Sequence, residues 1–213
     1  ARIKFEHNIF ENQFEWIFFT IDKLKNNKNL DIIIRVHPAE IRSDVPSAQR
    51  VKDEILKKYG LLPKNIKIID ADDNFSSYKL AEFSEIVIVY SSKVSFEVPA
   101  YLGKNTIVCG EAFSKNKGFT LDPSSKDEYL SLLDSIEKLG KLSPEKIKLA
   151  RKYAYHFFFR RCMKLNSLNK VENKYPPFEL KKNFVENFLK GNDEGLNIAC
   201  DAIINDKPAI FDC

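Results

Sequence analysis

Apolar residues recur at three- and four-residue steps over positions 9–26 (Ile9, Phe10, Phe14, Ile17, Phe18, Ile21 and Leu24), which predicts an amphipathic helix. The pattern then becomes an unbroken, β-branched run, Asp31-Ile32-Ile33-Ile34-Arg35-Val36, as expected of a strand covered on both faces. Three more runs of this kind follow: Asn65–Asp70, Glu85–Tyr90 and Asn105–Cys109. Between them lie helical stretches from about Ser47 to Gly60, from Ser76-Ser77-Tyr78 through Phe83, and from about Lys93 to Leu102 with Gly103 as its stop. Helix and strand alternating at this spacing predict βαβ units and a parallel sheet.

Further along, residues 126–139 read as a helix ended by Gly140. Ser143-Pro144-Glu145 opens a long helix through Tyr153–Arg161 to about Leu165. Asn169 to Pro177 reads as a loop, and two short helices near 178–190 and 193–204 finish the chain. The expected architecture is α/β: a three-layer, parallel-sheet, Rossmann-like domain over 1–165, with a helical C-terminal appendage over 166–213.

Composition narrows the function classes. A net charge of +4 over 213 residues, without a run of like charges, gives no nucleic-acid footprint, though it suits phosphate-bearing small molecules or an anionic membrane surface. No window approaches the length of a transmembrane helix. Ala1–Glu6 forms neither a signal peptide nor a clean domain start, and a chain without an initiating Met reads as a fragment. Cys109, Cys162, Cys200 and Cys213 are scattered without a CxxC pair, which fits reduced thiols in a cytoplasmic protein. His7 and His156 lack neighbours at metal-ligand spacing, so no metal is expected, and without GxGxxG or Walker A sequences no dinucleotide or ATP-hydrolysis site is indicated either.

In an open parallel sheet, ligands bind at the carboxyl ends of the strands. Three features fall there: His37-Pro38, Ser91-Ser92 and Gly110. The serine pair meets the start of a helix, where hydroxyls and backbone N–H groups suit a phosphate; the same placement also serves as a helix cap. An imidazole at position 37 can hydrogen-bond a phosphoryl oxygen or protonate a leaving phosphate, and it can equally be a structural strand-end histidine; Pro38 fixes the backbone after it. Glu97, on the helix behind the serines, can accept from a ribose diol, and Ser77 and Tyr78 open the helix after the second strand on the same side. Arg35 and Glu40 read as solvated or paired surface charges, and Asp72 and Asp73 as loop solvation.

The run Ile33–Glu40, then Ser76-Ser77-Tyr78, then Val87–Glu97, then Gly103–Gly110 resembles the capsular polysaccharide biosynthesis glycosyltransferases, which are related to bacterial Kdo-transferases and sialyltransferases of the GT-B fold. The resemblance covers about residues 10–165 and implies the C-terminal, nucleotide-sugar-binding half of such an enzyme. It implies that His37, Ser91 and Ser92 hold the donor's phosphate, His37 acting catalytically on the leaving group, and that Glu97 holds the ribose. It implies a CMP-linked donor sugar as substrate with no further cofactor, and a glycan or glycolipid acceptor. An N-terminal GT-B domain carrying the catalytic base would lie outside these residues, leaving the isolated chain inactive. The same scaffold admits a polyol-phosphate transferase, a sugar-nucleotide epimerase, or a non-catalytic nucleotide- or carbohydrate-binding regulator. The aromatic-basic stretch Phe157 to Lys164 adds peripheral docking on the inner membrane as a further reading, against a core-packing helix with snorkelled arginines.

Overall fold

The computed structural model describes residues 8–41, 46–172, 176–182 and 184–210. His7, Cys213 and the opening segment Ala1–Glu6 lie outside the described residues. The chain divides into two compact units, Ala1–Arg151 and Lys152–Cys213, whereas the sequence reading placed its division at 165.

In the first unit, the expected elements appear in the expected order. Helix α1 (Gln13–Leu24) starts at Asn12, whose side-chain oxygen accepts from the N–H groups of Phe14 and Glu15; such a cap is worth about 1 kcal/mol. Strand β1 (Ile32–Arg35) pairs in parallel with β2 (Ile66–Ile69), register Ile32 to Ile66. Helix α2 (Val51–Tyr59) connects them, and α3 (Ser77–Phe83) follows β2 with Ser76 as its cap. Strand β3 (Val87–Val89) pairs in parallel with β4 (Thr106–Val108) around helix α4 (Val94–Leu102). Gly103 closes α4 in the left-handed region, at φ 64°, where a side chain would be strained.

The architecture is thus mixed α/β with parallel strands. Among the described residues the strands form two separate hydrogen-bonded parallel pairs, β1–β2 and β3–β4, where the sequence reading had one continuous sheet. The two pairs nonetheless share apolar packing. Ile32 of β1 packs both against the cluster of Phe10, Leu24, Ile107, Tyr129 and Leu133 and against the cluster of Ile21, Val36, Val51, Ile55 and Ile66. Helix α1 contributes to both clusters through Leu24 and Ile21, so its apolar stripe covers β1 and both of its flanks.

The β3–β4 pair has one more neighbour that hydrophobic patterning did not reveal. Leu121 lies parallel to β4: its N–H donates to Thr106 O at 2.9 Å, and its carbonyl accepts from Val108 N–H at 2.9 Å. The chain there runs the same way as β4, so Asp122 comes out at the carboxyl edge beside Cys109 and Gly110.

The expected 126–139 helix breaks into α5 (Lys126–Asp134) and a 3₁₀ turn (Ile136–Lys138), because Ser135 Oγ bonds back to Ser131 O and diverts the last turn. Helix α6 (Pro144–Tyr155) lies partly in each unit. In the first unit, Arg151 Nε donates to Ala100 O at 3.0 Å and ties α6 to α4.

In the second unit, α6 gives way to a π-helical turn (His156–Arg160) that ends five residues short of the expected helix end at Leu165. None of its side chains is fully buried, so it is not the core-packing helix of the sequence reading; its aromatic rings stack instead on neighbours one turn away, Tyr155 on Phe159 at 5.3 Å. The expected 169–177 loop is bounded by an antiparallel pair, β5 (Leu168–Lys170) and β6 (Phe178–Leu180). Strand β6 occupies the start of the helix expected from 178, which shrinks to α7 (Phe184–Asn187). The expected last helix is α8 (Glu194–Ile204). Asp193 caps it and is fully buried, also accepting from the N–H groups of Asn166 and Ser167. No helix of the described residues is long and apolar enough to cross a membrane.

Candidate functional site

The carboxyl ends of β1 and β2 carry His37 and the 70–76 loop; those of β3 and β4 carry Ser91-Ser92 and Gly110-Glu111. One side-chain bond links the two sets. Tyr78 Oη, in the first turn of α3 after β2, donates to Glu97 Oε2 at 3.0 Å in the first turn of α4 after β3. Two of the positions read as nucleotide contacts therefore meet directly. Partial desolvation and the carboxylate at its side hold the Tyr78 phenol above its ordinary value, so it stays a donor to Glu97. Tyr78 keeps 51% of its surface exposed, so its ring has a face open to stacking. Glu97 keeps Oε1 as an acceptor, which suits a ribose hydroxyl.

His37 is exposed, and its orientation is fixed by the backbone: Ala39 N–H donates to His37 Nδ1 at 3.0 Å. That bond puts the ring proton of the neutral form on Nε2, facing away from the chain. Pro38 opens a 3₁₀ turn (Pro38–Ile41) whose geometry holds this contact.

The two serines turn out to be inequivalent. Ser91 Oγ donates to Glu111 O, which commits its proton to the loop after β4. Ser92 Oγ instead accepts from Val94 N–H at 3.2 Å, leaving its own proton to give. Ser92 is therefore not the N-cap the sequence suggested: the cap position of α4 is Lys93, without a side-chain cap bond, and Ser92 makes a turn bond onto Val94 instead, while Ser91 ties the β3 end to the β4 end.

Gly110 is buried, and its N–H donates to Tyr90 O at 2.8 Å. A Cβ at this position would come within 2.6 Å of Tyr90 O, so glycine allows the β3 and β4 exits to close on each other. Its contribution to the site is through backbone position. Ser77, half-buried, is the first residue of α3.

The charges flanking His37 are more structured than their sequence context suggests. Arg35 donates to the carbonyls of Asp70 and Asp73, pinning the 70–73 loop, so it is not a free surface charge. Asp73 Oδ2 accepts from Asp70 N–H at 2.7 Å, which makes it a turn-forming residue rather than mere solvation. Glu40 is buried and accepts from Val51 N–H; burial raises its carboxyl above the usual range. Asp70, missed in the sequence, pairs with Lys52 at 2.9 Å and Arg50 at 3.5 Å; the Lys52 ammonium above all holds its carboxyl below the usual range. Nothing in local patterning signals this cluster, because its members come from the residue after β2 and from the start of α2. Among the described residues, no three His, Cys, Asp or Glu side chains gather as a metal ion would need.

Compared with family models, curated proteins and solved structures, the chain matches none of them.

Proposed function

We propose that the first unit is the nucleotide-sugar-binding part of a glycosyltransferase that draws on a CMP-linked donor for surface-polysaccharide synthesis. The observation that supports this reading is the Tyr78–Glu97 bond, which joins the β2 exit to the helix behind Ser92. The orientation of His37 supports it as well. With Nδ1 occupied by Ala39, Nε2–H is the donor available to a phosphoryl oxygen.

In this reading, Ser92 O–H and His37 Nε2–H donate to the donor's phosphate, Glu97 Oε1 accepts from the ribose and Tyr78 flanks the base. The acceptor hydroxyl attacks the anomeric carbon and gives its proton to a general base. The bond from that carbon to the phosphate oxygen breaks with its electron pair staying on the nucleotide. Fixed donors stabilise the charge that grows on that phosphate.

Isothermal titration with CMP, CDP and UDP tests the reading. CMP is expected to bind most tightly, and Ser92→Ala and His37→Ala each to weaken it about tenfold, the weight of one hydrogen bond to a charged group. Equal, unsaturable heats for all three nucleotides would overturn it. Tighter CDP than CMP binding would favour the polyol-phosphate transferase instead.

A further inference from the structure

The second unit leaves an apolar face uncovered. In the β5–β6 ribbon, Phe178 pairs with Lys170 and Leu180 with Leu168, so these four side chains share one face, with Asn169 and Glu179 on the other. Phe178 and Leu180 are 44% and 53% exposed, although a two-stranded ribbon needs its apolar face packed on something to be stable. A turn closed by Phe184 N–H on Lys181 O at 3.1 Å leads from β6 into α7, and it contains Lys181 and Lys182. Turn bonds from Phe188 N–H to Val185 O and from Leu189 N–H to Glu186 O carry the helical path past the end of α7. Val185, Phe188 and Leu189 stand three and four residues apart on that path and so form one stripe, each of them more than half exposed.

Charge is segregated around these residues. Positions 152–190 hold nine Lys and Arg against three Glu, whereas 191–213 hold one Lys against five Asp and Glu, so the apolar face lies in the basic part of the unit. Lysines bracket the stripe, Lys181 and Lys182 before it and Lys190 after it, and Lys170 stands beside Phe178. That arrangement selects the occupant. Lysine is depleted from protein–protein interfaces, and Leu180, Val185 and Leu189 offer no ring on which a nucleic-acid base could stack. An anionic lipid surface uses both halves. The apolar side chains enter the headgroup layer, while the lysine stems lie alongside them and keep their ammonium groups at the lipid phosphates.

We propose that the β5–β6 ribbon and the stripe of Val185, Phe188 and Leu189 dock on the surface of an anionic bilayer. This places docking further along the chain than the aromatic-basic stretch at 157–164, whose rings stack on neighbours one turn away, Phe157 on Tyr153 and Phe159 on Tyr155. The proposal stands on the second unit alone and holds whether or not the first unit binds CMP.

Co-sedimentation of the full chain with vesicles tests it, using phosphatidylcholine alone and phosphatidylcholine with about 30 mol% phosphatidylglycerol. Binding to the anionic vesicles is expected to be at least about tenfold stronger than to the neutral ones and to fall as salt is raised. Lys181→Gln with Lys182→Gln, and separately Val185→Ser with Leu189→Ser, should each weaken it at least about tenfold. Ile203→Ser with Ile204→Ser is the control: both residues are exposed at the end of α8, in the acidic part of the unit, and binding should be unchanged. Hydrogen exchange of the parent chain, read by mass spectrometry, should slow at β6 and at residues 184–189 on the anionic vesicles, which decides the matter should a variant fail to fold. Overturning results are no binding to the anionic vesicles, equal binding to both kinds, exchange unchanged at those residues, affinity unchanged in either folded test variant, or a loss in the control as large as theirs. A concentration-dependent dimer abolished by Val185→Ser with Leu189→Ser would also overturn it, by giving the face to a second copy of the chain. Failure here with CMP still bound at His37 and Ser92 leaves the proposed function standing; the converse pattern removes that function and leaves the docking face.

Discussion

Replacing Gly110 by alanine puts the closure of the β3 and β4 exits to a quantitative test. The added Cβ would lie 2.6 Å from Tyr90 O, 3.1 Å from Tyr90 C and 3.1 Å from Tyr90 Cδ1. The first distance is roughly 0.8 Å inside ordinary contact, and the atom it meets is backbone. Tyr90 O already accepts the Gly110 N–H at 2.8 Å, and Val89 O accepts from Cys109 N–H at 2.9 Å. Relief therefore means parting the last rungs between the two exits. Overpacking of this kind costs about 1–3 kcal/mol, which for a unit of this size is a fall in Tm of roughly 2–4 °C per kcal/mol. The only Trp of the chain, Trp16, packs against Tyr90 with ring centroids 5.6 Å apart, so its fluorescence in a urea titration reports on this segment. Gly140→Ala is the control, because a Cβ there meets nothing within 4 Å, and its stability should stay within about 0.5 kcal/mol of the parent. Gly110→Ala with stability indistinguishable from that control would refute the argument. The variant should also weaken CMP, because moving Tyr90 displaces Ser91.

Other consequences can be checked separately. Tyr129→Phe removes a buried hydroxyl that accepts from Trp16 Nε1 at 3.2 Å and shares a bond of 2.7 Å with Thr20, and should cost about 1–3 kcal/mol in the same urea assay. The Asp70 carboxyl is held below its unfolded value, so the Lys52–Asp70 pair stabilises the fold above the unfolded carboxylate range near about pH 4, and that stabilisation is lost as pH falls through the lower folded value. Lys52→Met should therefore cost stability at pH 6 and cost progressively less in urea titrations carried below pH 4. Burial pushes the Cys109 thiol up to about 12, so iodoacetamide at pH 8 should alkylate the exposed Cys162 and Cys200 and spare Cys109 until the unit unfolds, as peptide mass spectrometry would show. Tyr78→Phe removes the bond to Glu97 and should weaken CMP several-fold by calorimetry.

Much of the first unit was legible because its signals are local and strong. The run Ile32–Val36 does form a strand, though Ile33 stays 45% exposed, so β1 is not covered on both faces as its unbroken apolar run suggested, and Gly103 stops α4 at the residue the sequence indicates. Strand ends named the exits where His37, Ser91 and Ser92 sit. Pairing partners were less legible. The division of the expected sheet into two hydrogen-bonded pairs depends on backbone register, which apolar runs of similar length do not encode. The Leu121 segment was missed because a single paired residue carries no periodicity. The β5–β6 hairpin was read as loop and helix because its strands are three residues long, with every residue of β6 exposed, so no alternation of burial marks them. At the site, the sequence supplied the residue types but not their bonds. That Ser91 is committed to Glu111 while Ser92 keeps its proton, and that Tyr78 reaches Glu97, follows from loop geometry alone.

A crystal structure of the chain soaked with CMP examines the central claim most directly. The account predicts the phosphate within hydrogen-bonding distance of both His37 Nε2 and Ser92 Oγ, with the ribose against Glu97. An ordered nucleotide that touches His37 without Ser92, or lies at another edge of the strands, would contradict it.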